Sequence, residues 1–242
     1  MMKSIRALLL SAGLGTRLRP LTLKIPKCLV EINNKPILEY WIEKLEKISV
    51  NQIIVNTHYL SHKVDLFLEK QKRKDINILN FYEDKLLGTA GTLIANYEFF
   101  SDSLGILIHA DNFTNMDLKD LIESHKNRPK NCLLTMLTFD SSNPESCGIV
   151  EVDSNNIVQK FYEKQANPPS NIANAAVYLF EEDFMEWLIT NYPHATDFSL
   201  DVLPNLLGKI YTFHTKMSYI DIGTQESLDK ARKIAKEPRE YL

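Results

Sequence analysis

The sequence contains few cysteines, and they are scattered along the chain. Cys28, Cys132 and Cys147 are the only three among the 242 residues. An odd number without paired spacing excludes a disulfide framework and a cysteine-based zinc site. We therefore expect free thiols in a reducing compartment.

Neither sign of charge dominates, and no hydrophobic run is long. The net charge is −3, which excludes the strongly basic surface typical of nucleic-acid-binding proteins. The apolar run near the N-terminus resembles a short signal peptide, but Arg17 and Arg19 follow it at once, which favours a buried strand. No run reaches the roughly 18 apolar residues of a membrane helix. We expect a cytoplasmic protein that binds neither nucleic acid nor a membrane.

Strand-like and helix-like patterns alternate as far as about Asp140. Strands are predicted at residues 5–11, 51–57, 76–82, 104–111 and 132–139, and helices at 36–48, 61–74, 89–100 and 117–126. Such alternation is typical of a parallel sheet with helices on both faces. Because 44% of the residues are apolar, the chain can bury the core of one α/β domain. We expect a Rossmann-like mixed, mostly parallel sheet flanked by helices.

The pattern changes after Asp140. A hairpin is predicted with its turn at Asp153–Asn156, and further strands are predicted at residues 171–180, 209–215 and 217–223. Helices are predicted at residues 181–192, 196–207 and 224–236. No linker separates this part from the rest, so we expect a small lobe built onto the same sheet.

Side chains at three predicted helix starts suggest capping roles. We expect Ser61 and Thr89 to cap the helices that they precede. We expect Thr224 to cap the last helix, with Ser227 too short to complete a capping box.

The loop Ser11–Thr22 follows the first predicted strand, at the sheet edge where open parallel sheets bind ligands. Gly13 and Gly15 would let the backbone approach phosphate oxygens. A Rossmann fingerprint would need a third glycine where Leu18 stands, and no Walker A Gly-Lys-Ser/Thr follows. A glycine turn with solvated charges is the alternative reading of this loop. The nearby cations Arg17 and Lys27 instead favour a phosphate-binding loop.

The stretch "LLLSAGLGTRLRPLTLKIPKCLVEINNKPILEY" closely resembles the opening of the sugar-1-phosphate nucleotidyltransferases. The matching positions are Gly13, Gly15, Thr16, Arg17, Leu18, Pro20, Leu21, Thr22, Pro26, Lys27, Lys35 and Pro36. The resemblance extends over roughly residues 5–235. It implies a glycosyltransferase-A-like fold and a single domain over 1–242, with a nucleotide-binding part at about 1–140 and a sugar-phosphate-binding part with a closing helix at about 141–242. It ends where larger relatives add a β-helix domain, so we expect none here.

The resemblance also implies a reaction. A sugar 1-phosphate attacks the α-phosphorus of a nucleoside triphosphate, pyrophosphate leaves, and a nucleotide-sugar forms, as in the synthesis of cell-surface polysaccharide precursors. Arg17 and Lys27 are the expected catalytic residues. The expected nucleotide-binding residues are Leu10, Ser11, Ala12, Gly13, Gly15, Thr16, Arg17, Lys27, Leu87, Gly88, Thr89 and Asp111.

The stretch "LLGTAGTL" resembles the family's second glycine loop, which packs against the nucleobase. Its form is most similar to the guanylyl branch, so GTP and a GDP-sugar product are favoured. The alternatives are UTP, dTTP or CTP, including cytidylyl transfer to a non-sugar phosphate. A homo-oligomer is compatible with the family.

The resemblance implies a magnesium ion held by Asp111 and Asp221. Mg²⁺ prefers oxygen ligands and takes one or two carboxylates together with substrate phosphates. A strand-end turn or helix cap is the alternative role for either aspartate alone. His58 and His62 have a spacing that suits zinc, but no third ligand accompanies them.

The stretch "YEKQANPPSNIANAAVYLF" resembles the family's sugar-phosphate region. Gly148, Glu163, Lys164 and Asn174 are the expected sugar-phosphate-binding residues. Gln165 replaces a proline of the family pattern and Ala176 replaces a glycine, which affects the identity of the sugar more than the reaction.

Two other classes of function compete with this interpretation. A regulatory protein that binds nucleotide-sugar without catalysis should have lost at least one of Arg17, Lys27, Asp111 and Asp221, and all four are present. A nicotinamide dehydrogenase is disfavoured by Leu18. We further expect Lys27 to face solvent, so that its replacement by alanine would lower kcat far more than stability.

Overall fold

A computed structural model of the chain describes residues 3–71, 73 and 75–236. The strands are β1 Ser4–Leu10, β2 Glu31–Ile32, β3 Lys35–Pro36, β4 Gln52–Thr57, β5 Asn77–Tyr82, β6 Ser103–His109, β7 Asn112–Thr114, β8 Leu134–Asp140, β9 Gly148–Val152, β10 Val158–Glu163, β11 Ile172–Phe180, β12 Ile210–Thr215 and β13 Tyr219–Asp221. The helices are α1 Ile37–Lys47, α2 Ser61–Lys70, α3 Gly88–Ala95, α4 Leu118–Lys126, α5 Glu182–Asn191 and α6 Gln225–Ile234.

The chain forms two compact units. The first unit contains the residues up to Arg6, together with Leu87–Ile108 and Leu118–Lys216. The second unit contains Ala7–Leu86, His109–Asp117 and the residues from Met217 onward.

The second unit contains the end of β1 from Ala7 onward, followed in the strand order by β4 and β5. Strands β4 and β5 run parallel in a register that pairs Asn56 with Phe81. The short strands β7 and β13 pair antiparallel, and β2 pairs with β3. These short strands pack with α1 and α6 around a buried cluster that consists of Leu18, Val30, Ile32, Ile37, Phe113, Ile220, Ile222, Leu228 and Ala231. The loop after β1 is thereby fixed to the same core as β7 and β13.

In the first unit, β11 is the central strand. It pairs antiparallel with β6, β8 and β9, so those three strands point the same way. Strand β12 runs parallel to β8, and β10 runs antiparallel to β9. Helix α5 packs on β11 and α4 packs on β12. The predicted mixed, mostly parallel sheet flanked by helices is confirmed.

The predicted hairpin turn at Asp153–Asn156 is confirmed. The Asp153 N–H donates to the Ile157 carbonyl at 3.0 Å, and the Asn156 N–H donates to the Asp153 carbonyl at 3.0 Å. The Asp153 side chain also accepts bonds from the Asn155 and Ile157 N–H groups. An aspartate at this position closes the turn with its own carboxylate.

The capping box at the start of α6 corrects a prediction. The Thr224 Oγ1 atom accepts the Ser227 N–H at 3.1 Å, and the Ser227 Oγ atom accepts the Thr224 N–H at 3.0 Å. The expectation that Ser227 is too short was wrong, because the first helical turn brings the two backbones close enough for a hydroxymethyl group to span them.

Thr224 caps α6 as expected, whereas the caps predicted for the other two helices were wrong. Leu60, with a φ of 52°, precedes α2 without a side-chain cap, so Ser61 is already inside the helix. Thr89 lies one residue inside α3, and its Oγ1 atom accepts the N–H of Phe198 at 2.7 Å instead. Helix α2 ends at Lys70, and Lys72 and Lys74 of the predicted longer helix lie outside the described residues.

The helix predicted over residues 196–207 is a π turn followed by a 3₁₀ turn, Phe198–Val202 and Leu203–Leu206. Pro204 stands where a regular helix would need a backbone donor, which accounts for the break. Among the described helices, none is long and apolar enough to cross a membrane. The three cysteines are free thiols, as expected.

Buried His125 generates a prediction on the pH dependence of stability. Its side chain is 1% exposed and lies on α4, with Nδ1 2.7 Å from the Thr135 Oγ1 atom. Burial, reinforced by the charge of Arg128, lowers the pKa of His125 from 6.5 to about 3, although Glu181 opposes the shift. The folded protein therefore binds this proton more weakly than the unfolded chain does. Stability should fall as the pH drops below 6.5.

We expect His125 to contribute a loss of about 1.4 kcal/mol in the free energy of unfolding between about pH 7.5 and about pH 5.5. Urea denaturation at the two pH values measures it. The matched control is His125→Gln, which cannot titrate and should lose less stability over the same interval. Equal losses in both proteins would contradict the assignment.

Candidate active site

Two glycines shape the loop after β1, and they do so in different ways. Gly15 has a φ of +61°, and a Cβ atom there would lie 2.9 Å from Thr22 Cγ2 and 3.2 Å from Lys27 Cβ. The Thr22 hydroxyl donates to the Gly15 carbonyl at 2.7 Å and fixes the turn. A Cβ atom at Gly13 would meet nothing within 4 Å. Gly15 is therefore needed for the backbone turn, whereas Gly13 faces open space that a ligand could enter.

The neighbours of these glycines are placed by the strand and the turn. Leu10 ends β1, and its carbonyl accepts the Ala110 N–H at 3.0 Å. Ala12 is buried, whereas Thr16 and Arg17 are exposed on a short 3₁₀ turn that begins at Thr16.

Four charged side chains meet beside this loop, and we call them the charge cluster: Arg17, Lys27, Asp111 and Asp221. Lys27 Nζ lies 2.6 Å from Asp111 Oδ2 and 2.9 Å from Asp221 Oδ1. Arg17 Nη2 lies 3.1 Å from Asp221 Oδ2. All four belong to the second unit. The structure thus brings together both predicted catalytic residues and both predicted metal ligands.

The pairing of β7 with β13 explains why the two aspartates meet. Asp221 is in register with Asn112, the residue after Asp111. The Ile222 N–H donates to the Asp111 carbonyl at 3.2 Å. Two carboxylates that are far apart in sequence therefore lie at one end of a short ribbon.

Lys27 is buried, which corrects the expectation that it faces solvent. It is 8% exposed, and its backbone begins a 3₁₀ turn that also buries Cys28. Burial alone would lower the pKa of Lys27, but the charges of Asp111 and Asp221 outweigh it and hold the pKa above its ordinary value. Burial would raise the pKa of Asp111, but the Lys27 charge and His109 hold it below its ordinary value. Both partners of this ion pair are charged at neutral pH.

Gly223 contributes to the charge cluster, although sequence analysis did not single it out. A Cβ atom there would lie 2.6 Å from Arg17 Nη2 and 2.9 Å from Asp221 Oδ2. The guanidinium occupies the space that any side chain at this position would fill. The signal in the sequence is the glycine two residues after the strand-end aspartate.

The second predicted glycine loop lies in the first unit from Leu87 onward. Gly88 has a φ of +79°, and a Cβ atom there would lie 2.3 Å from the Thr196 carbonyl oxygen. That carbonyl accepts the Ala90 N–H at 2.9 Å. Leu87 precedes α3 and is 37% exposed. The glycine therefore allows α3 to start against the backbone of Thr196.

Three of the predicted sugar-phosphate residues lie together in the first unit. Glu163 pairs with Gly148 across β9 and β10, and a Cβ atom at Gly148 would lie 2.8 Å from Glu163 Oε2. Lys164 Nζ lies 3.2 Å from Glu163 Oε1, and the lysine side chain is 67% exposed. An exposed cation and a carboxylate beside a glycine can bind a phosphate and hydroxyl groups.

Asn174 makes its hydrogen bonds within β11. Its Nδ2 donates to the Tyr178 hydroxyl at 2.6 Å, and its Oδ1 accepts the Ala176 N–H at 2.9 Å. Ala176 has a φ of +53°, in the left-handed region. A side chain in this region is strained by roughly 1–2 kcal/mol, which gives a physical reason for glycine at this position in the family pattern.

One of the two histidines with zinc-like spacing contacts the backbone. His58 Nδ1 lies 2.8 Å from the Glu83 carbonyl oxygen. No group of three or more His, Cys, Asp or Glu side chains suited to a metal ion occurs among residues 3–71, 73 and 75–236.

Comparison with known proteins identifies the family. A sequence profile described as "Nucleotidyl transferase" matches residues 6–237. The chain belongs to the nucleotidyl transferase family. The resemblance seen in the sequence is thereby confirmed.

Several relatives illustrate the range of this family. The chain is 30% identical over 224 residues to a mannose-1-phosphate guanyltransferase beta-A from Xenopus laevis, a match that covers 90% of this chain and 61% of the relative. It is 27% identical to a UTP–glucose-1-phosphate uridylyltransferase from Synechocystis, a match that covers 90% of this chain and 60% of the relative. The crystal structure of HddC from Yersinia pseudotuberculosis complexed with GMP-PN superposes with a TM-score of 0.79 at 28% identity, covering 96% of this chain and 99% of that one. The chain therefore spans about three fifths of the length of the curated relatives that it matches.

The burial of Lys27 generates a prediction on stability. Lys27→Met should lower the free energy of unfolding by about 1–2 kcal/mol, because it leaves two partly exposed carboxylates facing each other without their shared cation. Urea denaturation measures the change. The control is Lys35→Met, which removes a half-exposed lysine paired with Glu43 and should cost less than about 1 kcal/mol. If the two variants are equally stable, the charge cluster does not depend on Lys27.

Proposed function

We propose that the protein transfers a nucleotidyl group from a nucleoside triphosphate to a sugar 1-phosphate, giving a nucleotide-sugar and pyrophosphate. The observation that carries the proposal is the charge cluster beside an open glycine loop. Membership of the nucleotidyl transferase family supports it, as do the printed activities of the mannose-1-phosphate and glucose-1-phosphate relatives.

The physical demand of this reaction is to bring two anions together. Two like unit charges 4 Å apart repel each other by about 4 kcal/mol at an effective dielectric constant near 20. A phosphate ester and a triphosphate each carry several negative charges, so the total repulsion between them is several times larger. Catalysis then depends on neutralising and positioning the phosphates more than on covalent work by the protein.

Arg17 and Lys27 would supply the neutralisation. The Arg17 side chain is 63% exposed and has one close carboxylate partner, so its guanidinium can turn towards phosphate oxygens with little desolvation. Lys27 shares its ammonium between two carboxylates. Phosphate oxygens would compete with those carboxylates for the same protons.

Asp111 and Asp221 are the groups that would hold a magnesium ion. Their donor set is two carboxylates, with side chains 36% and 46% exposed, and it suits a cation that completes its shell with phosphate oxygens and water. When bound, magnesium would neutralise phosphate charge. The residues present fit the ion, provided that Lys27 releases the carboxylates.

Glu163, Lys164, Gly148 and Asn174 would bind the sugar phosphate. Lys164 would meet the phosphate, while Glu163 would accept hydrogen bonds from sugar hydroxyls. GTP is the favoured substrate, which is consistent with the guanyltransferase relatives and with the HddC structure complexed with GMP-PN. The cytoplasmic location, the single-domain organisation and a homo-oligomer stay predictions.

A pyrophosphate-release assay tests the proposal. Each of GTP, UTP, dTTP and CTP is combined with a set of sugar 1-phosphates, with and without magnesium. We expect magnesium-dependent release that is fastest with GTP. Arg17→Met should lower kcat by at least about 100-fold, as the loss of a charged group that stabilises developing charge does; Arg19→Met, two residues away and exposed, is the control. Release with CTP alone would refute the choice of base, and no release in any combination would refute the reaction.

The competition between Lys27 and a metal ion can be measured without turnover. In the nucleotide-free protein, Lys27→Met should bind Mn²⁺ at least about fivefold more tightly than the wild type does, because two carboxylates lose the cation that occupies them. Electron paramagnetic resonance of free Mn²⁺ gives the Kd. Asp111→Asn should weaken binding in the same assay. If Lys27→Met binds Mn²⁺ no more tightly than the wild type, then Asp111 and Asp221 are not the metal ligands.

A further inference from the structure

A chain of hydrogen bonds joins the ends of three neighbouring strands in the second unit. Ser11 follows β1 directly, Asn56 is the penultimate residue of β4, and Glu83 follows β5 directly. Since these strands are neighbours in the order β1-β4-β5, the three residues lie at one edge of the sheet. Asn56 is 4% exposed and Glu83 is 3% exposed.

Asn56 holds both polar groups of Ser11. The Ser11 N–H donates to Asn56 Oδ1 at 2.6 Å, and the Ser11 hydroxyl donates to the Asn56 carbonyl oxygen. The first residue of the phosphate-binding loop is thereby fixed to β4 through its backbone and through its side chain.

Glu83 determines which way the Asn56 amide points. Asn56 Nδ2 donates to Glu83 Oε1 at 2.9 Å. The backbone of Glu83 is itself fixed, because its N–H donates to the Thr57 carbonyl at 2.8 Å. A carboxylate oxygen accepts and an N–H donates, so only one orientation of the amide satisfies both neighbours. In that orientation, Oδ1 faces Ser11 and Nδ2 faces Glu83.

The loop is held at a second point by Thr22, whose hydroxyl donates to the Gly15 carbonyl. Between Ser11 and Gly15 lie only three residues, including Gly13 with its open approach. Fixing both ends of so short a segment restricts the directions in which its N–H groups can point. Donors that are already ordered bind an anion more tightly, because no free energy is lost in ordering them on binding.

We propose that Asn56 and Glu83 are positioning residues for the triphosphate. They act through Ser11, by holding the start of the glycine loop in the conformation that receives phosphate oxygens. This inference rests on the proposed function, since it concerns the same nucleotide site. Neither residue was among those predicted from the sequence to bind nucleotide.

A swap of donor and acceptor tests the proposal. Asn56→Asp keeps an acceptor for the Ser11 N–H but places an oxygen against Glu83 Oε1, where two carboxylates must share a proton or separate. The double variant N56D/E83Q restores one donor and one acceptor, with the direction of the bond reversed and the net charge unchanged. Compared with the wild type, the double variant differs in the direction of the hydrogen bond between positions 56 and 83; compared with N56D, it restores that bond and removes one carboxylate.

Isothermal titration of a non-hydrolysable GTP analogue, with magnesium, measures the effect at about pH 8. We expect N56D to raise its Kd by about tenfold, which corresponds to about 1.4 kcal/mol. The double variant should return to within about threefold of the wild type. Hydrogen exchange of the peptide that contains residues 9–15 should speed up in N56D without ligand and slow down again in the double variant. A general loss of stability would instead raise exchange throughout the chain.

The outcomes separate the two proposals. If the wild-type protein binds no triphosphate analogue, the proposed function fails. If the wild type binds and N56D binds equally well, only the positioning role is overturned. If N56D alone does not fold, the double variant decides the matter. A folded double variant whose Kd is within about threefold of the wild-type value supports the role, and a folded double variant that binds more weakly than that refutes it.

Discussion

One buried ammonium group joins the charged side chains of the second unit. Lys27 lies between Asp111 and Asp221, which come from segments separated by more than one hundred residues in sequence, and it holds them together with Arg17. The pairing of β7 with β13 places the two aspartates beside each other, and the turn at Gly15 packs against the Lys27 side chain. The cluster contains two cations and two carboxylates, so its formal charge is zero without a ligand. Phosphates or a metal ion would change its balance, and this makes it suited to binding them.

The glycine loop beside the cluster is held by hydrogen bonds at both ends and is open at its centre. Thr22 fixes Gly15, and Asn56 fixes Ser11, while Gly13 faces space that a ligand can enter. A site for polyanions needs donors that are ordered before binding, because their ordering would otherwise subtract from affinity. The glycine loop and the charge cluster therefore act as one arrangement within one unit. The residues expected to contact the base and the sugar belong to the other unit.

Much of the fold and the charged residues of the site could be predicted from sequence, because both depend on local patterns. Apolar runs between turn residues specified most strands, and the dense motif from Gly13 to Lys27 identified the family. The burial of Lys27 could not be predicted, since it results from contacts with two distant aspartates. Asn56 and Glu83 were missed because a single amide or carboxylate at a strand end resembles an ordinary turn residue. Ser227 shows a smaller failure of the same kind, where backbone geometry allowed a contact that side-chain length alone appeared to forbid.

A crystal structure with a non-hydrolysable nucleoside triphosphate and magnesium tests the role of the charge cluster most directly. We expect phosphate oxygens within hydrogen-bond distance of Arg17 and Lys27, with Asp111 and Asp221 directed at the metal ion and the ammonium no longer shared between them. A nucleotide bound elsewhere, with the four charged side chains still paired with one another, would contradict it.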